Sequence, residues 1–430
     1  MAIIQIMPNE ILFNIFSYLY FEDLLATSLV SHTFHNLSQS PLYQEPYLRI
    51  DDLPRCDSSA GVLIPQPEPG QEAVALFLRT LLLAPGRDTL ARYVKGLCVD
   101  LAVERGRATH NARTDLLRKA ALNLGFDDHP LTDQGAQIVM ILRLLPQLTT
   151  LELRAGDGQP GYCYEKVKAS IMGPGTIPIG LQNIHLFTSV RIFEGTCVTP
   201  MILLALLRLP SIRRIAVSIG EGDSETEMFM TAAALAAGTS LVTQLEINPG
   251  DINPTSLKSI LKIPKSLTSF LYSVGDQGYG KENLKQFGQA LAPLKESLEH
   301  LDLHFTDTPS HWDYLYGVNT IGTLRGWENL RTLKLQMASL VGELRNDLSL
   351  AKMLPQGLSS LVVHEDCYWY GSDLVDQLIG ALRQRALVAL RMMTVVVTWE
   401  YLPAEMEDRL RCACREAGVD LVLDIDQAEE

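Results

Sequence analysis

The sequence predicts an α/β chain: a module of three short helices over residues 1–48, then strand–helix units stacked into a curved parallel sheet with helices outside it. Three observations lead there. Apolar residues in the first 42 positions follow helical stripes. From residue 94 onward a short segment of the form apolar-x-x-apolar-x-apolar recurs, and the intervals between its copies mostly read as helix.

The first helix opens at Asn9, a capping residue, with the carboxylate of Glu10 against the positive helix end. Ile11, Leu12, Ile15, Phe16 and Leu19 then trace one stripe at 3.6-residue spacing. A second helix starts near Glu22 and Asp23 and carries Leu24, Leu25 and Leu29. Val30 and Ser31 lead into a third, with Phe34, Leu37 and Leu42 on its apolar side. Three helices this short cannot enclose so much apolar surface among themselves, so part of it must pack on something else.

Met7-Pro8, Ile11-Leu12, Ile15-Phe16, Leu19, Asp23-Leu24-Leu25, Val30-Ser31 and Phe34, in that order, resemble the F-box. The tryptophan usual in the family's third helix is Phe34 here, and its opening leucine is Met7; both remain large and apolar. The resemblance implies a three-helix fold whose face binds a Skp-type adaptor, and through it a cullin scaffold. Met7, Pro8, Ile11, Leu12, Ile15, Phe16, Leu19, Leu24, Leu25, Val30 and Phe34 are the expected adaptor-binding residues. Each buried Leu, Ile or Phe contributes about 1.5–3 kcal/mol, so six or seven anchors are of the size needed to offset an association cost of ~4–15 kcal/mol.

Residues 49–86 read as a connector with the first elements of the next domain, since 51–70 hold Pro54, Pro65, Pro67, Pro69, Gly61 and Gly70. The repeats occupy residues 87–430. Their copies include Val94-x-x-Leu97-x-Val99, Leu148-x-x-Leu151-x-Leu153, Leu181-x-x-Ile184-x-Leu186 and Ile212-x-x-Ile215-x-Val217. Further copies centre on Leu245, Phe270, Leu301, Leu333, Leu361 and Met393, with a last strand over 419–423. From residue 151 the middle positions are spaced by 25–33 residues. Helices are expected at 133–145, 200–208, 255–262, 282–292, 343–354, 373–384 and 404–417, often ended by Pro or Gly.

These units resemble the irregular leucine-rich repeats that follow many F-boxes, although the asparagine of that consensus is missing. A doubly wound α/β domain also alternates strand and helix and stays open as the rival fold. In the solenoid the alternating leucines point at the helices, and the residues between them line the open, concave side. Glu152, Arg154, His185, Glu246, Asn248, Asp302, His304, Lys334, Gln336 and His364 are therefore expected on a substrate-binding face.

Three stretches invite a chemical reading. Gly275, Gly280 and Lys281 have the spacing of a phosphate-binding loop between strand and helix, but Glu282 stands where Ser or Thr would hold magnesium. The bland alternative is a glycine-rich turn. His300, Asp302 and His304 share one strand face, which suits either zinc chelation or a solvated polar row. The aromatics at 311–314 and 367–370 serve equally well as binding anchors or as filling between repeats.

A net charge of -14 argues against general nucleic-acid or anionic-membrane binding. Apolar runs such as 201–207 fall far short of the roughly 18 residues a spanning helix needs. Seven scattered cysteines suit free thiols in the cytosol or nucleus rather than a disulfide framework. No metal, cofactor or catalytic residue is expected. The resulting expectation is a non-enzymatic substrate-recognition adaptor of an SCF-type cullin–RING ubiquitin ligase. The alternatives are an F-box scaffold acting outside a ligase and a nucleotide-binding protein using residues 275–281.

Overall fold

The computed structural model describes residues 12, 47–50, 91–92, 94–101, 141–142, 144–145, 147–155, 191–198, 200–219, 233–234, 236–250, 252–274, 283–305, 320–341, 349–364, 371–397 and 403–425. They fall in two compact units, residues 1–197 with 209–212, and residues 198–208 with 213–430. This division lies inside the stretch 87–430 that the sequence presents as one run of repeats.

In the first unit four parallel strands follow one another in chain order: β1 (Tyr47–Ile50), β2 (Gly96–Leu101), β3 (Thr150–Ala155) and β4 (Ile192–Val198). Two of them depart from expectation. β1 begins inside the stretch assigned to the helical module and pairs with β2 through Tyr47 and Cys98, so the sheet starts before the connector. Beside β3 stands β4, with Thr150 opposite Ile192 and Leu151 opposite Phe193. The expected copy over 181–186 lies outside the described residues. β4 escapes the sequence pattern because Gly195 takes the register position opposite Leu153, where the pattern asks for an apolar side chain.

The second unit holds β5 (Arg214–Ile219), β6 (Gln244–Gly250), β7 (Ser269–Val274), β8 (His300–Phe305), β9 (Thr332–Gln336), β10 (Ser360–His364), β11 (Met392–Val397) and β12 (Asp420–Ile425). Each pairs in parallel with its sequence neighbours. A doubly wound sheet would reverse its strand order part-way; within this unit the order never reverses. The progression is that of stacked units.

The apolar pattern sets the register. Ile215, Leu245, Phe270, Leu301, Leu333, Leu361, Met393 and Leu421 are successive cross-strand partners. All but Leu421 at the sheet edge are buried. The leading positions Ile212, Val242, Leu267, Leu298, Leu330, Leu358, Leu390 and Val419 are buried as well. A shared carbonyl reinforces the six steps from β5 to β11: the one before the strand accepts two N–H groups from the start of the next unit. Arg213, Thr243, Thr268, Glu299, Arg331 and Ser359 serve in turn, at 2.8–3.2 Å. The hydroxyls of Thr243, Thr268 and Ser359 also donate to the carbonyl one unit back. One irregularity interrupts the ladder: β6 carries an extra residue between Ile247 and Gly250, where Pro249 and Gly250 make a bulge tolerable.

The helices of this unit are α1 (Pro200–Leu207), α2 (Pro254–Leu261), α3 (Asn283–Leu291), α4 (Met337–Val341), α5 (Leu350–Met353), α6 (Gly371–Arg383) and α7 (Ala404–Ala417). Local chemistry fixes their ends. Asn253 Oδ1 accepts the Ser256 N–H at 2.8 Å, with Pro254 in the first turn of α2. α7 stops where Gly418 turns left-handed at φ 70°. α2 packs on α3, α5 on α6 and α6 on α7. The buried side of the sheet faces these helices: the ring of Tyr272 on β7 meets Phe287 on α3 at a centroid distance of 5.1 Å. The helix expected over 343–354 is described only as α5, and α4, which begins directly after β9, was not anticipated.

Candidate functional site: the open face of the parallel sheet

Alternation along each strand leaves every second side chain on the face away from the helices. In β5 and β10 the alternation is regular, with half-buried and buried residues in strict succession. The row formed by Ala216, Glu246, Leu271, Asp302, Lys334, Val362, Thr394 and Val422 is joined by register from strand to strand. This is the face on which the sequence placed the target-binding residues.

Two ion pairs bridge strands on it. Arg214 Nη2 lies 3.6 Å from Glu246 Oε2, and Lys334 Nζ lies 3.4 Å from Asp302 Oδ2. Asp302 and Lys334 are direct register partners. Burial raises the Asp302 pKa above its ordinary 3.8, against the opposing pull of Lys334 and then His304. Its Oδ1 is buried and meets no hydrogen-bond donor among the described residues.

Next to this pair, the imidazoles of His304 and His364 meet edge-on at 5.7 Å. They come from β8 and β10, so β9 runs between their strands, and Gln336 is the register partner of His364. Gln336 is only 1% exposed. This corrects its expected place on the accessible surface: it has the parity of Lys334, but it sits at the strand end where the flanking imidazoles converge. Its carbonyl accepts the Ser339 hydroxyl at 2.6 Å.

Glu152 lies half-buried on β3 in the first unit. The β3 backbone includes Arg154, whose side chain is outside the described set, and His185 lies outside the described residues altogether. Asn248 is exposed next to the β6 bulge. Thus Asp302, His304, Lys334, Gln336 and His364 form one cluster, while Glu246 pairs separately with Arg214, a residue the sequence reading had not singled out. Among the described residues no group of three His, Cys, Asp or Glu side chains is placed to hold a metal ion. No described helix is long and apolar enough to cross a membrane. Residues 275–281, 311–314 and 367–370 lie outside the described residues.

Of the adaptor-facing set only Leu12 is described. It is helical and 4% exposed. Met7, Pro8, Ile11, Ile15, Phe16, Leu19, Leu24, Leu25, Val30 and Phe34 lie outside the described residues.

Comparison with known families fixes the class of this N-terminal module. Residues 4–49 match the family model described as F-box-like, so the chain carries an F-box-like domain. No curated protein matches the chain.

Proposed function

We propose that the protein is the substrate-recognition subunit of an SCF-type cullin–RING ubiquitin ligase. The F-box-like match over residues 4–49 is the observation that carries the reading. F-boxes dock on Skp-type adaptors, and an adaptor so bound links whatever the rest of the chain holds to the cullin and its ubiquitin-transfer machinery. The sheet following the domain supports a binding role, since its parallel units expose polar and apolar side chains on one broad face while their leucines form the core. We read these units as irregular leucine-rich repeats: unit length and register fit, and threonine and serine hydroxyls bond between units. The subunit itself performs no chemistry, which resides in its partners, and it works in the cytosol or nucleus.

Ile15→Asp combined with Phe16→Asp places two charges in the apolar stripe of the first helix. Co-purification with a Skp-type adaptor and a cullin should be lost while the far-ultraviolet circular dichroism spectrum is kept. Undiminished recovery of the adaptor by a folded variant refutes the docking model. Recovery of the adaptor by the wild-type chain without any cullin would instead favour a scaffold outside a ligase.

A further inference from the structure

The open face of the second unit changes character along its length. On β5–β9 the charged groups at Arg214, Glu246, Asp302 and Lys334 are tied up in ion pairs. On β10–β12 the register row reads Val362, Thr394, Val422, and the row beside it reads Ser360, Met392, Asp420. Met392 and Val422 are 43% and 45% exposed, two of the four large apolar side chains that stand out into solvent among the described residues. Asp420 and Asp424 bracket Val422 on the same face of β12, both exposed. Neither carboxylate has an ion-pair partner among the described residues, and no Lys or Arg occupies this face of β10–β12.

We infer that Val362, Met392, Thr394 and Val422, with Asp420 and Asp424, form a docking surface for an extended basic segment of a target protein, with an apolar side chain between two cations. The inference rests on the sheet face being the target-binding surface proposed above, and it names the chemistry of the target. Geometry supplies the spacing. Asp420 and Asp424 are four residues apart on one strand, about 13 Å at strand rise. An extended Arg-x-Leu-x-Arg segment presents its three recognised side chains on one side with the same separation. Its leucine covers Met392 and Val422, and its guanidinium groups meet the two carboxylates. The exposed apolar pair provides area to remove from water, while the two carboxylates reject acidic segments and fix the register of a basic one. The excess negative charge of the whole chain steers such a segment inward.

The test uses the full chain and fluorescein-labelled peptides of the form Arg-Ser-Leu-Ser-Arg, with Glu-Ser-Leu-Ser-Glu and Arg-Ser-Ser-Ser-Arg as counterparts, read by fluorescence anisotropy. The arginine–leucine peptide should bind, and the other two should bind at least about tenfold more weakly. Asp420→Lys with Asp424→Lys should reverse the preference, so that the glutamate peptide binds the variant better than the arginine peptide. Because these side chains are exposed, the swap leaves the core intact, and the reversal needs no comparison of absolute affinities. Equal binding of both charged peptides, an unreversed preference in the variant, or no binding of the arginine–leucine peptide overturns the inference. Adaptor co-purification is measured on the same preparations. Its retention alongside a failed peptide result removes this surface and leaves the ligase reading standing, while its loss with peptide binding intact does the opposite.

Discussion

Asp302 shows how one side chain carries two opposing effects. Burial disfavours its charge and Lys334 favours it, and burial is the larger. The folded carboxyl therefore holds its proton more tightly than the unfolded one, so ionised Asp302 subtracts from stability. That loss sets in as pH rises from the ordinary value of 3.8 through the raised folded value. Asp302→Asn should accordingly melt higher than wild type at about pH 7, with the difference closing below about pH 4. Lys334, 38% exposed, remains hydrated in the variant. A constant difference across that range, followed by calorimetry, would contradict the assignment. Two cysteines on α7 give a second test at this scale. Burial pushes the Cys414 thiol up to about 11, whereas Cys412 is exposed. Since the thiolate is the nucleophile, iodoacetamide should label Cys412 and spare Cys414 in the folded chain, as read by peptide mass spectrometry. Spacing placed Asp302, His304 and Lys334 on one face correctly, because strand parity is a two-residue rule. It missed the burial of Gln336, which depends on two imidazoles from neighbouring strands converging at a strand end.

Elements were legible wherever an apolar triplet repeated intact. All strands of the second unit, from β5 to β12, lie on the segments picked out by leucine, isoleucine and valine spacing. β4 was hidden by Gly195, and β1 stood too close to the helical module to be separated from it. Helices α2, α3, α6 and α7 fall within two residues of their expected bounds, helped by Asn253, Pro254 and Gly418. On α3 the sequence also shows a glycine whose purpose it cannot explain. A Cβ added at Gly288 would come 1.8 Å from the carbonyl oxygen of Ile321, a backbone atom with little freedom to retreat. Glycine to alanine in a helix ordinarily stabilises by roughly 1 kcal/mol. Here overpacking should outweigh it, so Gly288→Ala should destabilise by about 1–3 kcal/mol, measured as a lower urea midpoint at unchanged m-value. A gain in midpoint would show that the segment at Ile321 can move aside.

For the molecule as a whole, the decisive property of the second unit is that each described strand forms its backbone ladder with its sequence neighbours. Stability in such an arrangement is a sum of local terms. Met393→Ala, at a fully buried position on β11, should cost about 2–5 kcal/mol. Its effect on amide hydrogen exchange should be concentrated in β10, β11 and β12, with β5–β7 least changed. Uniform loss of protection from β5 to β12 would instead mark the unit as one cooperative block. Function was less legible than fold at this scale. The F-box-like module follows from a dense local motif, now matched by a family model over residues 4–49. The open face depends on which side chains a stack of units sets side by side, and that emerges only once register is known.

The shared carbonyls ahead of each strand have a further consequence. Alignment between units is fixed at the strand entrance, where Thr243, Thr268, Glu299, Arg331 and Ser359 grip the next unit, and not by the length of chain that follows. Successive units can therefore differ by several residues, as the 25 between Leu245 and Phe270 and the 32 between Leu301 and Leu333 do, without shearing the strands. Segments after the strand exits are accordingly the places where sequence can be grafted or trimmed while the strands keep their register.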